Sequence, residues 1–386
     1  MSDHTIRRAL PFGLLALAGT TQAAEFRGLG DLTPVMRGSS AHAISGDGSA
    51  AAGRGTANGP EAFRWSNGMV ALGDLPGGPR ESYAYGLDDS GATVVGASAA
   101  SSQGPQAFRW SSSSGMVGLG YLNPSVKHSE ALWVSPDGSA VVGYSLLAPG
   151  FARAFQWTQS SGMVALADYG GASRAAGIAE NGVIAGESSG ANGLEAVRWI
   201  DNVAVGLGDL PGGGFQSAAT AISRRGHAIV GYGWSANGFE AFLWSPGDIF
   251  DIRNPSNPGG MIALGDLEGG TFDSAALAVS DTGIVVGRGT GADGSEAFLW
   301  TPGLGMVAVA DLLANQGASL SGWRLTAATG ISRDGRVLVG TGIDPSGNSQ
   351  AWMARIEAVP EPGTLGVLGL GLALLRRRRR MMPALP

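Results

Sequence analysis

Cysteine and histidine, which often carry out catalysis, are absent or scarce in this 386-residue chain, and no spacing of the other reactive side chains favours a particular reaction. There are no cysteines, so a thiolate nucleophile, a disulfide and a cysteine metal site are all excluded. After the first 24 residues the histidines are His42, His128 and His227, and no pair has metal-ligand spacing. No G-x-S-x-G motif, Walker loop or dinucleotide fingerprint occurs. We therefore predict no catalytic residue, no metal site and no cofactor.

Aspartate recurs directly after several short apolar segments. The positions are Asp31, Asp74, Asp209, Asp266 and Asp311. A ring of carboxylates would suit Ca²⁺, which takes oxygen ligands. Alternatively, each carboxylate shapes a turn by accepting backbone N–H bonds. The recurrence favours the turn, because a single functional site would break the repeat.

Ligand-binding residues are better sought where the repeats of the chain differ from one another. The candidate positions are Trp133, Trp234, Trp323, Asp248, Asp251 and Arg253. Trp133 replaces a small residue of a predicted first strand, Trp323 lies in a long connection at 313–325, and the three charged residues lie in an insertion at 247–260. Aromatic faces beside carboxylates would suit a carbohydrate, although large tryptophans more often fill cores.

These candidates are positioned by a repeat with a mean period of 47 residues. A bulky apolar residue stands two positions before a tryptophan six times, and an altered seventh copy ends at Trp352. The six pairs are Phe63/Trp65, Phe108/Trp110, Phe155/Trp157, Val197/Trp199, Phe242/Trp244 and Phe298/Trp300. Each repeat contains four short apolar segments separated by turns, which is typical of a propeller blade.

Glycines recur in register with this repeat. One glycine marks the turn after each predicted first strand, and another lies within the second strand, where a missing side chain lets two backbones approach closely. The second-strand glycines are Gly53, Gly96, Gly143, Gly186, Gly231, Gly287 and Gly340. Such regularity indicates architecture rather than a flexible low-complexity sequence.

The two ends of the repeat region complement each other. Residues 26–32 resemble the fourth strand and following loop at 70–75, whereas the last repeat stops after Ile356 without a fourth strand. The N-terminal segment should therefore pair into the last blade and close the ring, which removes exposed sheet edges. We predict an all-β fold, a seven-bladed β-propeller of four-stranded antiparallel blades over residues 25–357. A β-solenoid is the alternative.

Residues 1–24 are predicted to be a secretory signal peptide. Arg7 and Arg8 precede an apolar run at 9–19, and the small residues Ala23 and Ala24 offer a cleavage site. The residues around the two arginines fit twin-arginine export poorly, so ordinary secretion is expected.

Residues 358–386 carry three features in a fixed order. Pro360, Glu361 and Pro362 come first, an uncharged segment at 364–375 follows, and an arginine cluster ends the series. The cluster consists of Arg376, Arg377, Arg378, Arg379 and Arg380. A helix of these 12 uncharged residues reaches about 18 Å, short of a hydrocarbon core of roughly 30 Å. A plain transmembrane helix whose arginines stay cytoplasmic is one interpretation.

The same order of features resembles the PEP-CTERM sorting signal. That resemblance implies recognition by an exosortase in a Gram-negative bacterium and cleavage near residues 360–362. It also implies delivery to the cell surface or the exopolysaccharide matrix, with membrane contact only before processing. A tail that is never cut would leave the protein tethered to the inner membrane instead.

The repeats are similar to the HAF family of extracellular repeats, in phrases such as LGDLPGG at 207–213 and AIS at 221–223. That family often has histidine before Ala-Phe, and this chain has other residues there. They are Glu61, Gln106, Arg153, Glu195, Glu240, Glu296 and Gln350. No role of such a histidine is therefore transferred to this chain.

Net charge argues against nucleic acid as a partner. The whole chain carries −6, and without the signal peptide and the five tail arginines 18 basic residues face 30 acidic ones, a net charge of −12. A net-acidic body repels phosphate polymers. The sequence thus predicts a secreted, non-catalytic propeller that exosortase processes and that binds extracellular polysaccharide or a surface protein. The alternative is a propeller polysaccharide hydrolase or lyase whose acids come from the insertion at 247–260.

Overall fold

The computed structural model describes residues 24–101, 104–247 and 259–357. Within these segments the chain forms 28 β-strands and one short α-helix. The predicted all-β class is therefore confirmed for this part of the chain.

Each of the first six sequence repeats forms a group of four strands, the last repeat forms a group of three, and a separate strand, β1 (Glu25–Gly28), precedes them. The first group contains β2 (Ser39–Ile44), β3 (Ala51–Thr56), β4 (Pro60–Trp65) and β5 (Met69–Ala71). The second contains β6 (Ser82–Leu87), β7 (Thr93–Ser101), β8 (Gly104–Ser111) and β9 (Gly115–Gly118). The third contains β10 (Ser129–Val134), β11 (Ala140–Ala148), β12 (Phe151–Thr158) and β13 (Gly162–Ala165).

The remaining groups follow the same order. The fourth contains β14 (Ser173–Ile178), β15 (Ile184–Gly190), β16 (Gly193–Ile200) and β17 (Val203–Gly206). The fifth contains β18 (Gly212–Ile222), β19 (Ile229–Ser235), β20 (Gly238–Ser245) and β21 (Gly260–Ala263). The sixth contains β22 (Gly269–Val279), β23 (Val285–Gly291), β24 (Gly294–Thr301) and β25 (Gly305–Ala308). The last contains β26 (Arg324–Ile331), β27 (Val337–Ile343) and β28 (Ser349–Arg355).

Hydrogen bonding among the described residues arranges these strands into four sheets of four strands and one sheet of twelve. The twelve-stranded sheet, β14 to β25, consists of three antiparallel groups. Single parallel pairs, Leu194 with Gln216 and Phe239 with Asp273, link those groups.

The last sheet contains both ends of the described chain. Strand β1 pairs antiparallel with β28, so that Gly28 lies opposite Trp352. The Leu29 N–H continues this pairing by donating to the Ala351 carbonyl oxygen at 2.8 Å. The predicted pairing of the N-terminal segment with the last repeat is therefore confirmed.

The first strands of neighbouring groups lie against one another. Strands β2, β6, β10, β14, β18, β22 and β26 contact each other in this order, and β26 also contacts β2. The first strands therefore form a closed ring. We call the end of the ring where each first strand begins the top face, and the end where it turns into the second strand the bottom face.

Apolar side chains pack between neighbouring groups. Phe242 and Trp244 of β20 belong to one cluster with Ala185 of the fourth group, whereas Leu243 belongs to the next cluster with Val285 of the sixth. This is the alternation that a strand buried on both faces requires. A further cluster joins Val339 and Met353 of the last group to residues of the first, so the packing closes as well.

One element differs from the sequence prediction. The long connection predicted at 313–325 begins inside an α-helix, α1 (Val309–Asn315). Val309 and Leu313 are four positions apart, so they lie on one face of the helix and are buried against the last two groups. Asp311 therefore lies in a helix and not in a turn after a fourth strand.

Candidate functional site

A β-bulge in each first strand directs one side chain into the centre of the ring. In β2 the register skips from Ala41 to Ala43, which leaves His42 without a partner in β3. Such bulges redirect a side chain relative to its neighbours. The corresponding unpaired residues are His42, Tyr85, Leu132, Ala176, Thr220, Leu277 and Thr329. All of them line a cavity of about 330 Å³.

The second-strand glycines explain how the bulge forms. Gly53 lies opposite Ala41, and a Cβ atom on it would collide with the carbonyl oxygen of Ser40 and the Cα of Ala41. Gly96 and Gly143 stand in the same relation to Tyr83 and Glu130. The close backbone approach predicted from the sequence is therefore confirmed, and it accompanies the bulge.

Three bulge side chains form hydrogen bonds with the neighbouring group. Thr220 donates to the Ala276 carbonyl oxygen at 2.7 Å, and Thr329 donates to that of Ala41 at 2.8 Å, where the ring closes. His42 Nδ1 lies 2.8 Å from the Ala84 carbonyl oxygen. Because a carbonyl only accepts, Nδ1 carries the proton of a neutral ring, and burial lowers the pKa of His42. This histidine therefore links the first group to the second.

The wall of the cavity is asymmetric at the top face. On one side Tyr85 stacks on His42, with ring centroids 5.8 Å apart, and lies 6.2 Å from Tyr83. On the opposite side the positions equivalent to Tyr83 are small. They are Ala218, Ala275 and Ala327. The small side chains leave room opposite an aromatic wall.

Charged side chains continue the aromatic wall. The Arg174 guanidinium lies 4.8 Å from the centroid of the Tyr144 ring and 3.8 Å from the Glu187 carboxylate. His128 Nε2 lies 3.2 Å from Glu130 Oε1. Of these groups, Tyr85, Arg174 and Glu187 line the cavity itself, and they give it a polar side that suits a polar ligand.

Burial decides the protonation of these groups. Burial and the nearby Glu130 charge raise the pKa of Tyr85, so its phenol keeps its proton at neutral pH. Burial likewise raises the pKa of Tyr144. Burial raises the pKa of Glu187, against the opposing charge of Arg174. The two phenols therefore act as hydrogen-bond donors, and the Glu130 carboxylate accepts from both.

Trp133 forms the floor of this cavity. It lines the 330 Å³ cavity above and also a smaller cavity of about 70 Å³ below. A Cβ atom on Gly86 would contact the Trp133 ring at 3.3 Å, so the neighbouring group has no side chain there. Of the three tryptophans predicted to bind ligand, Trp133 is the one that borders the cavity.

Ion pairs close the bottom of the ring around the smaller cavity. Arg224 Nε lies 2.6 Å from Asp89 Oδ2, and Arg224 Nη1 lies 2.9 Å from Glu180 Oε2. Arg333 Nη1 approaches the same Asp89 oxygen at 3.6 Å. Burial nevertheless raises the pKa of Asp89, because desolvation outweighs the two arginines. Asp281 also lines this cavity, with a side chain only 8% exposed.

The other two predicted tryptophans do not line the cavity. Trp234 is 43% exposed at the end of β19 and contacts Phe239 edge-on at 5.9 Å. Trp323 packs against Phe26 of β1 at 5.4 Å and so belongs to the closure of the last sheet. Trp133 lies in the third group, Trp234 in the fifth, and Trp323 in the connection that leads to the last group.

Several predicted residues lie outside the described part of the chain. They are Asp248, Asp251, Arg253, Ala23, Pro360, Glu361, Pro362 and the arginines Arg376–Arg380. Ala24 lies inside it and is buried in the cluster that also contains Ile356. In residues 24–101, 104–247 and 259–357 no helix is both long and apolar enough to cross a membrane.

The recurring aspartates support turns. Asp209 accepts N–H bonds from Leu210 and Gln216, and Asp266 accepts them from Leu267, Thr290 and Asp273. In the described segments no three histidine or acidic side chains are grouped so that they could hold a metal ion. These findings favour the turn interpretation of the aspartates over the calcium interpretation.

Glu195, Glu240 and Gln350, which precede Ala-Val, Ala-Phe and Ala-Trp in their third strands, have a structural role. Glu195 and Glu240 accept N–H bonds from Gly208 and Gly265, at 3.1 and 3.0 Å, in the loops that lead to the next group. Gln350 instead donates its side-chain N–H to the Asp31 carboxylate, in the loop after β1, at 3.0 Å. This position ties a third strand to the loop that leaves its own group.

The sequence analysis missed Tyr85, Arg174 and Glu187. The sequence contains a pattern that marks Tyr85. The bulge residue is the second position of a recurring four-residue phrase, which has alanine first, a small residue third and an aliphatic residue fourth, and the second position varies widely. Examples are AHAI at 41–44, AYGL at 84–87 and ATAI at 219–222. Variation within an otherwise constant phrase would have marked the residues that line the ring.

Two comparisons concern sequence. Residues 358–380 match the model of the PEP-CTERM protein-sorting motif. The motif indicates an exported protein that is transiently anchored in the membrane and processed by exosortase. No curated protein matches this chain.

Similarity to solved structures is remote. TolB from Acinetobacter baumannii is 10% identical over 83% of this chain, which spans only 65% of that protein, with a TM-score of 0.40. A TolB candidate from Agrobacterium tumefaciens is 11% identical over 84% of this chain and 99% of its own, with a TM-score of 0.46. The β-propeller domain of the trilobed protease from Pyrococcus furiosus is 8% identical over 82% and 95%, with a TM-score of 0.44. Conclusions about function therefore rest on the residues of this chain.

Proposed function

We propose that this chain is a closed β-propeller of seven blades with HAF-type repeats. On this proposal it is exported and sorted by exosortase to the surface or exopolysaccharide matrix of a Gram-negative bacterium. The blade count is supported by the ring of first-strand contacts from β2 round to β26 and back. The packing of Val339 and Met353 against the first group supports closure.

We further propose that the propeller binds carbohydrate in the cavity at its top face without catalysing a reaction. The observation that carries this proposal is the lining of the cavity of about 330 Å³, which combines Tyr85, Arg174 and Glu187 with the small residues Ala176 and Ala219. Sugars offer an apolar ring face that stacks on aromatic rings and hydroxyl groups that bind carboxylates and guanidinium groups. The volume is at the small end of ligand pockets, which suits one or two sugar units.

A glycan array tests this proposal on residues 24–357. A bound glycan is then titrated against Tyr85→Ala and Arg174→Ala, and each should weaken binding at least about tenfold, or 1.4 kcal/mol. Trp234→Ala is the matched control, because this exposed ring lies outside the cavity and should leave affinity unchanged. Binding that survives both cavity variants, or no binding on the array, contradicts the site.

Sorting is tested by the mass of the mature protein. In cells with exosortase the mature C-terminus should lie near residues 360–362, and in cells without it the arginine cluster should remain. An intact tail in both strains would favour the simple membrane anchor.

The second candidate function is a polysaccharide hydrolase or lyase. Glu187 favours it, because burial raises the pKa of this carboxyl and thereby suits it to donate a proton. A reducing-sugar assay on the glycan that binds separates the two candidates. Turnover that Glu187→Gln abolishes would establish the enzyme, and binding without turnover supports the binding module.

A further inference from the structure

The described chain begins and ends on the bottom face. Arg355, the last residue of β28, pairs with Val337, the first residue of β27. Glu25 of β1 pairs with the same Arg355. The Ile356 N–H donates to the carbonyl oxygen of Arg336, in the bottom turn between β26 and β27, at 2.8 Å. Residue 357 therefore leaves the fold beside a bottom turn, at the rim formed by β1 and β28.

The sorting motif starts at the next residue, 358. Only residues 358–363 separate the described chain from the uncharged segment at 364–375. Six fully extended residues reach about 20 Å. A six-residue strand such as β2, which runs from the top face to the bottom face, also spans about 20 Å. A tether of this length cannot pass along the rim to the top face and still enter a bilayer.

We propose that the bottom face is turned toward the bilayer surface while the sorting segment is in the membrane, and that the cavity at the top face opens away from it. This inference rests on the sorting motif and on strand direction, and it does not depend on the identity of the ligand.

The closed bottom of the ring agrees with this orientation. Arg224 and Arg333 contact Asp89 there, and Trp133 separates the smaller cavity from the larger one. A bilayer against the bottom face would therefore block no opening of the larger cavity. The anchored protein could exchange ligand before exosortase acts.

Energy transfer to lipid tests the orientation. The chain has no cysteine, so a single introduced cysteine carries a single dye. Ser112→Cys and Gln159→Cys place the dye in exposed turns of the bottom face, and Asn192→Cys and Asp293→Cys place it in exposed turns of the top face. Each full-length variant is purified from cells without exosortase. It is then inserted into vesicles of phosphatidylethanolamine and phosphatidylglycerol that carry an acceptor dye on a headgroup.

Both bottom-face labels should transfer energy about twice as efficiently as both top-face labels, given a height difference of about 20 Å. Proteins ending at residue 357 serve as controls and should show little transfer at any site. Equal transfer from the two faces, which a disc standing on its rim or tumbling freely would give, overturns the proposal. Stronger transfer from the top face also overturns it.

Discussion

Glu25 lies directly opposite Arg355 where the first and last strands of the described chain pair. This register unites the two ends of the repeat region in one sheet. It also buries Leu29 in the cluster between the last group and the first. The closure of the ring thus depends on β1 and Leu29, a short segment that is far in sequence from the other strands of its sheet.

Deleting residues 26–32 should sharply lower stability. The deletion removes Leu29, which is buried, and Phe26 and Leu32, which are partly buried against core clusters. Full burial of one such side chain is worth about 1.5–3 kcal/mol. The total, about 5 kcal/mol, is comparable to the whole stability of many domains. A thermal melt measures the loss. Val35→Ala is the control, because Val35 is 87% exposed in the same region. An unchanged melting temperature of the deletion variant would show that β1 does not close the fold.

Gly143→Ala should destabilise the protein by more than about 3 kcal/mol. The new Cβ would collide with the backbone of Glu130 and Ala131. That backbone cannot move without breaking the pairing of β10 with β11. Gly214→Ala provides the comparison. No atom lies within 4 Å of a Cβ at that position, so its effect should stay within about 0.5 kcal/mol. Urea unfolding of both variants measures the difference. Equal stabilities would mean that the close approach at the bulge is not required.

The repeat and its closure were predictable because they depend on local signals that recur. In each copy, a Phe-x-Trp pair predicts a strand with both faces buried. A glycine at a fixed position predicts a turn. The short segment at 26–32 was recognisable because it repeats the loop phrase of the other copies.

The candidate site was less predictable for a geometric reason. Strict alternation places His42 and Tyr85 on the face opposite their alanine neighbours, but only the bulge directs them to the centre of the ring. The cluster of Asp89, Arg224 and Arg333 joins residues from three groups, and no spacing in the sequence indicates that they meet. The α1 helix is only seven residues long and lacks the two-turn pattern that would have identified it.

Trp323 and Trp234 should respond differently to truncation. Trp323 covers Phe26 and Gly28 of β1, so Trp323→Ala should cost about 2 kcal/mol. Trp234 contacts Phe239 edge-on while remaining 43% exposed, so Trp234→Ala should cost less than about 1 kcal/mol. Chemical unfolding of both variants checks the order. The reverse order would mean that Trp323 does not fasten the closing strand.

The first bottom turn of the third group should give the protein a specific acid sensitivity. Ser135 Oγ donates to Asp137 Oδ1 at 2.5 Å and the Ser139 N–H donates at 3.0 Å, and these bonds lower the pKa of Asp137. A carboxyl whose pKa is lower in the folded state stabilises that state above its unfolded pKa. The contribution disappears as the pH falls below about 4, through the folded pKa.

Asp137→Ala should therefore lower the unfolding free energy at pH 7 by more than it does near pH 2.5. Solvent screening of this exposed side chain keeps the difference small. Ser135→Ala removes the main hydrogen-bond donor to Asp137 and should reduce the same pH-dependent part of the unfolding free energy. The double variant Ser135→Ala/Asp137→Ala should lose little more of that part than Asp137→Ala alone. Denaturant titrations of the parent and the three variants between pH 2.5 and 7 measure this. A stability gap between parent and Asp137→Ala that stays constant across the range would show that the hydrogen bonds to Asp137 do not favour its charged form in the folded state.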